Sequence, residues 1–170
     1  YMNLGVSFNK KKVFSYLEEN NIFPSIPEKK NFLFIPIIID EVKKDLLIFY
    51  NNKIYELWNN DSNESMLIKY ILPAEDLEDL DLIKSKFELI EQYDFKEITS
   101  KYDLKDSIIA LIFKNENDIR ILSRINLDGN MTLKNQSFSN MSFGEEESIN
   151  TIINNLKTIY DDFWKKYNQI

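Results

Sequence analysis

The chain is 170 residues long, which fits one domain of ordinary size, and 44% hydrophobic with 14% aromatic residues, enough for a packed core. Acids outnumber bases 28 to 21 for a net charge of −7, a balance that argues against nucleic acid as a partner and against adsorption to anionic lipid. No Cys and no His is present, which excludes thiol nucleophiles, disulfides, Cys/His zinc sites and His-based triads, and leaves periplasm and cytoplasm equally open on redox grounds.

In chain order, residues 3–8 (NLGVSF) alternate as a strand does, and Asn9 is placed to cap a helix running to about Asn20 with Val13 and Leu17 inward. Pro24 and Pro27 bracket a loop. Residues 32–39 (FLFIPIII) are almost wholly apolar, as expected of a strand covered on both faces, while Pro36 inside them points to a sheet edge or a bulge. This is also the longest apolar run, far short of the roughly 20 residues that span a bilayer.

A charged turn at 41–45 leads to a second apolar strand at 46–50, a short helix at 53–58 and a polar loop at 59–65 (NNDSNES). Residues 66–72 read as a strand stopped by Pro73, and 74–86 as a helix with Leu77, Leu80 and Ile83 at inward spacing. Phe95, Ile98 and Tyr102 mark another helical piece. The pattern then turns antiparallel: strands at 107–113 and 119–127, the hairpin dipeptide Asp128-Gly129, and a strand at 131–138. A closing helix carries the stripe Ile149, Ile152, Ile153, Leu156, Ile159, Tyr160 and Phe163, with Ser142 and Glu145 at capping-box spacing. The expected architecture is one α/β (α+β) domain over residues 1–170: a single mixed sheet of about five or six strands, antiparallel toward its C-terminal part, with helices packed against it.

Two groups of residues are candidates for function. Glu75, Asp76, Glu78 and Asp79 open the 74–86 helix. Paired carboxylates can act as general acid and base, yet acids after a proline at a helix start more often cap its amides and complement its dipole. No Asp-x-Asp-x-Asp-Gly loop accompanies them, so a dedicated calcium site is not expected. Arg120 and Arg124, the only arginines, share one face of their strand with Leu122 and Asn126; Lys134 and Gln136 are expected to join them across the hairpin as a locally basic patch suited to an anionic group. The competing reading is an ordinary solvated sheet face. Trp58 and Trp164 are possible stacking platforms, though packing is the simpler use for them. Three scattered glycines make no phosphate loop and no serine has a histidine to activate it, so no catalytic residue, metal or cofactor is expected.

The segments at 6–23 (VSFNKKKVFSYLEENNIF), 32–39, 72–83 (LPAEDLEDLDLI) and 100–113 (SKYDLKDSIIALIF), the RILSRINLDGNMT that begins at Arg120, and the closing helix together resemble an uncharacterised proteobacterial family of exported proteins. Pro73 with residues 75–80 carries most of the likeness. Ile-Pro-Ile stands at 35–37 where that family tends to have Trp, and residues 53–65 are shorter than its usual helix. At fold level the arrangement is also similar to small α/β domains of periplasmic assembly lipoproteins. The resemblance implies a periplasmic location and no assigned activity; Tyr1 is not a natural start residue, so the chain is expected to be a fragment of a longer exported protein, with another envelope protein as the expected partner. From these expectations comes a non-enzymatic binding or scaffolding role, set against a carboxylate-dependent hydrolase acting on a glycan.

Overall fold

The computed structural model describes residues 28–61, 63–86, 96–141 and 144–168. The strand and helix expected within the first 20 residues, the Pro24–Pro27 loop and the Ser142 end of the capping box lie outside them.

Six strands form one mixed sheet: β1 (Lys30–Asp40), β2 (Asp45–Leu47), β3 (Ile68–Ile71), β4 (Ser107–Lys114), β5 (Asp118–Leu127) and β6 (Asn130–Ser139). Four helices accompany it among the described residues: α1 (Lys53–Asp61), α2 (Leu77–Lys86), α3 (Lys96–Lys101) and α4 (Glu146–Asn168). The α+β architecture expected from the sequence is the one observed, with β4, β5 and β6 forming its antiparallel part.

β1 is an interior strand, flanked by β4 on one side and by β2 and β3 on the other, and its surroundings explain its composition. Its alternating side chains enter two cores: Phe32, Phe34 and Ile38 on one face, and Leu33, Ile35 and Ile37 on the other. The first core is closed by Ile54 and Trp58 of α1 and by the α4 stripe, of which Ile149, Ile152, Ile153, Leu156 and Tyr160 are buried. Ile83 of α2 and Ile98 of α3 close the second. With both faces covered, no polar position is left in the middle of the strand.

Pro36 does not make β1 an edge strand. On one side β1 runs parallel to β4 from Leu33 to Asp40. On the other side two short strands share its length: β3 pairs parallel with Lys30 to Leu33, and β2 antiparallel with Ile38 to Asp40. Pro36 falls in the interval between them, where no strand asks for the amide hydrogen it lacks. Asn52, fully buried, fills that interval. Its Nδ2 donates to the carbonyls of Pro36 (2.9 Å), Leu47 (3.1 Å) and Ile48 (2.8 Å). Its Oδ1 accepts the Tyr55 amide at 2.9 Å and so caps α1.

The hairpin between β5 and β6 turns on Asp128 (φ 52°) and Gly129 (φ 82°). Two consecutive positive φ angles are the signature of the type I′ turn that an Asp-Gly pair favours. Inside the first core, Ser123 and Tyr160, both buried, satisfy each other across β5 and α4 at 2.7 Å.

Candidate functional site

The acidic segment after Pro73 begins with a cap. Asp76 Oδ1 accepts the Asp79 amide at 2.8 Å, which makes Asp76 the residue that starts α2 and places Leu77 at its first turn. The helix therefore begins at Leu77 rather than at 74, and Leu77 points outward: it is 76% exposed, while Ile83 is buried as expected and Leu80 partly so.

Asp79 turns the other way and is completely buried. Lys101, at the end of α3, reaches it at 2.7 Å and also reaches Glu78 at 3.0 Å and Asp76 at 3.3 Å. The Tyr102 hydroxyl donates to the second oxygen of Asp79 and accepts the Ala74 amide. The three carboxylates offer oxygens within 4.8 Å of one another, spacing that would suit a hard cation, but the Lys101 ammonium supplies the positive charge among them.

Ionisation follows this geometry. The amide of Asp79 holds the Asp76 carboxyl below its usual range, with Lys101 assisting. Asp79, Glu78 and Asp76 together hold Lys101 protonated well above the usual lysine range. Burial, followed by the bond to Asp79, raises the Tyr102 phenol. A carboxylate so held accepts hydrogen bonds and keeps its charge, the opposite of what a general acid requires. Lys101 and Tyr102 were not legible as parts of this cluster, since more than 20 residues separate them from it and no motif links them.

Beside this latch lies an open groove of about 400 Å³. Residues 46–50 form one wall, and Leu77 and Leu80 of α2 the other. Glu75 and Asp76 stand at the helix start, and Lys84 sits about two turns further along α2. Tyr50 (80% exposed) and Leu77 are large apolar side chains left in solvent at its rim. Both were missed as surface features; the capping role of Asp76 was the one signal that would have turned Leu77 outward.

The basic patch expected around the hairpin is not assembled as foreseen. Arg120 and Arg124 do share a face with Leu122 and Asn126, opposite the buried Ile119, Ile121, Ile125 and Leu127. Lys134 does not join them. It pairs with Ser123, and Gln136 with Ile121, so both stand on the α4 side of the sheet. The residues that register brings beside Arg120 and Arg124 are Ser137 and Leu133. Arg120 itself lies 4.8 Å over the Phe113 ring and 3.4 Å from Glu41, and Arg124 is half-buried. Trp58 is no platform either: it is fully buried, stacked on Phe34 at 4.1 Å. Trp164 is half-buried, edge-on to Phe32 at 6.3 Å.

The fold is an α+β domain in which Lys101 pairs with Asp76, Glu78 and Asp79, and the groove between residues 46–50 and α2 is lined mostly by apolar side chains. No family model and no curated protein matches the chain. Among solved structures it is similar to the LpoB C-terminal domain from Salmonella enterica, with a TM-score of 0.43 and 10% identity over 72% of this chain and 92% of that one. No helix among the described residues is long and apolar enough to cross a membrane.

Proposed function

We propose that this chain is a non-catalytic binding or scaffolding domain of the bacterial cell envelope, whose partner is another envelope protein. The observation that carries the reading is the position of Lys101. It converts the group of carboxylates at the start of α2 into a fastening between α2 and α3, with Asp79 buried against it and Asp76 serving as a helix cap. A carboxylate-dependent hydrolase needs two acids facing each other across a substrate, one able to hold a proton. Here Glu75 and Asp76 are chain neighbours at one end of the groove, and Asp76 is held ionised. The groove walls are mostly aliphatic and aromatic, a lining suited to side chains rather than to sugar hydroxyls. Placement in the envelope, and in the periplasm, rests on the resemblance of the segments quoted above to an exported family. Of the basic residues considered as a binding face, Arg120 and Arg124 remain together while Lys134 lies across the sheet, so the groove is the better candidate surface.

The test is site-specific photo-crosslinking in intact bacteria, with the reactive residue placed at Leu77, at Tyr50, or at Asn135 on exposed β6. Discrete protein adducts in the envelope fraction are expected from the first two positions and not from the third. Adducts at none of the three, or a glycan-cleaving activity abolished by Asp76→Asn, would overturn the reading.

A further inference from the structure

Resting on the protein-binding reading above, we infer that the groove between β2 and α2 receives a chain segment carrying a large apolar side chain next to Lys or Arg. Among the described residues six large hydrophobics are exposed, and two of them, Tyr50 and Leu77, belong to this one concavity. Scattered singly, such residues need no explanation; gathered on the rim of a groove, they mark a surface from which water is readily displaced. The walls beneath them are aliphatic and aromatic, so the anchoring side chain is apolar as well.

Charge sets what flanks the anchor. Lys101 neutralises Asp76 and Glu78 only in part and does not reach Glu75, which is exposed at the groove's end. Asp81 is exposed on α2, and Asp45 is exposed at the start of β2, next in the chain to the wall of residues 46–50. Lys84 is the one cation among the described residues of the lining. The end of the groove at the start of α2 is therefore acidic, with Glu75 unneutralised there and Lys84 at the far end, and a basic residue beside the anchor gains both encounter rate and orientation from it. A second copy of this chain is a poor occupant, because two bodies each carrying −7 repel as they approach.

The experiment uses the whole chain and three synthetic peptides that share a central Leu-Phe pair, flanked by Lys, Ser or Glu. Binding is read by fluorescence anisotropy at physiological salt. The lysine-flanked peptide is expected to bind about tenfold more tightly than the glutamate-flanked one, the size expected of two exposed ion pairs, with the serine peptide between them. Leu77→Asp should abolish binding of all three. Glu75→Lys should remove the charge preference and leave the serine peptide unchanged. Both positions are exposed, and an unaltered thermal transition confirms that each variant is folded.

Equal affinity for the three peptides, a reversed order, or binding indifferent to Leu77→Asp overturns the inference. So does binding that appears only when Lys10, Lys11 and Lys12 are replaced, for the groove then belongs to the chain's own basic run. Crosslinking at Leu77 and Tyr50 combined with peptide binding of the wrong order refutes the basic-partner inference alone; absence of both refutes the binding-module reading itself.

Discussion

Asn52 donates to the carbonyl of Pro36 at 2.9 Å at the one stretch where neither β3 nor β2 borders that side of β1. One side chain thus serves as a missing piece of sheet and as the cap of α1. Asn52→Ala removes the cap and the two amide hydrogens shared among the carbonyls of Pro36, Leu47 and Ile48, with an expected loss of about 3 kcal/mol. Asn52→Asp keeps the capping oxygen but turns a second oxygen toward those carbonyls, so it should be no milder. Equilibrium unfolding in urea measures both, and a loss below about 1 kcal/mol in the alanine variant would show that water replaces the amide without penalty.

Lys101 stands in the same relation to α2 as Asn52 to β1. Replacing it with Met leaves the buried Asp79 carboxylate with the Tyr102 hydroxyl as its remaining side-chain donor. An uncompensated buried charge is more costly than the pair was worth. Lys101→Met is therefore expected to lower the melting temperature clearly more than Lys53→Met, whose ion pair with Glu56 is exposed. Adding Asp79→Asn to Lys101→Met should recover part of the loss, since the neutral amide has no charge to strand. Failure of that rescue, measured by thermal unfolding of all three variants, would mean that Lys101 acts through its packing.

What could be read from the chain and what could not divides along contact range. The uniform apolarity of residues 32–39, the 3.6-residue stripe of α4 and the Asp-Gly turn are local patterns, and each is realised in the fold. The sharing of one β1 edge by β2 and β3 has no local signature, because it depends on where two connections land. Pro36 hinted at it and pointed to a sheet edge or a bulge instead. Lys134 is a different case, since its error was avoidable. Residues facing each other across a two-residue turn share a side of the sheet, and counting outward from Asp128 and Gly129 sets Lys134 opposite Ser123, a core position. The candidate site was the least legible part. Its acids were visible, but the lysine that fixes their role arrives from α3, and Leu77 was assigned inward by spacing when the Asp76 cap had already set it at the exposed helix start.

Acid should expose the work of two carboxylates. Asp40 accepts the Lys43 and Val42 amides and lies 3.5 Å from Lys114; the Lys43 amide is the chief reason its carboxyl sits below the ordinary value of 3.8. Asp76 is lowered in the same way by the Asp79 amide. In the unfolded chain both titrate near 3.8, so the stability they contribute is complete above that pH and fades as pH falls through their lower folded values. Urea midpoints measured from about pH 6 down to about pH 2 should fall along this limb. The fall should be shallower in Asp40→Asn and in Asp76→Asn, each less stable than the parent at neutral pH. Limbs that superimpose on the parent's would assign acid unfolding to other groups.

Alkali reports on the phenols. Tyr55 is buried with its hydroxyl donating to the Pro73 carbonyl at 2.6 Å, and burial, with the nearby charge of Glu75 next, pushes its ionisation up to about 12. Tyr70 and Tyr160 are raised as well, burial again the main cause. Unfolded tyrosine ionises near 10, so above that pH the unfolded chain releases protons that the folded domain still holds. Stability is then full below about pH 10 and declines steadily as pH approaches about 12, with the raised Lys101 adding to the slope in the same direction. Tyr55→Phe removes one titrating group together with one buried hydrogen bond, so it should cost about 1 kcal/mol at neutral pH and flatten the alkaline decline. Phenolate absorbance followed alongside urea midpoints tests this directly, because the buried phenols should ionise only as the domain unfolds. Smooth ionisation of every tyrosine near pH 10 in a chain that stays folded would show that water reaches the core around Trp58 and Tyr70.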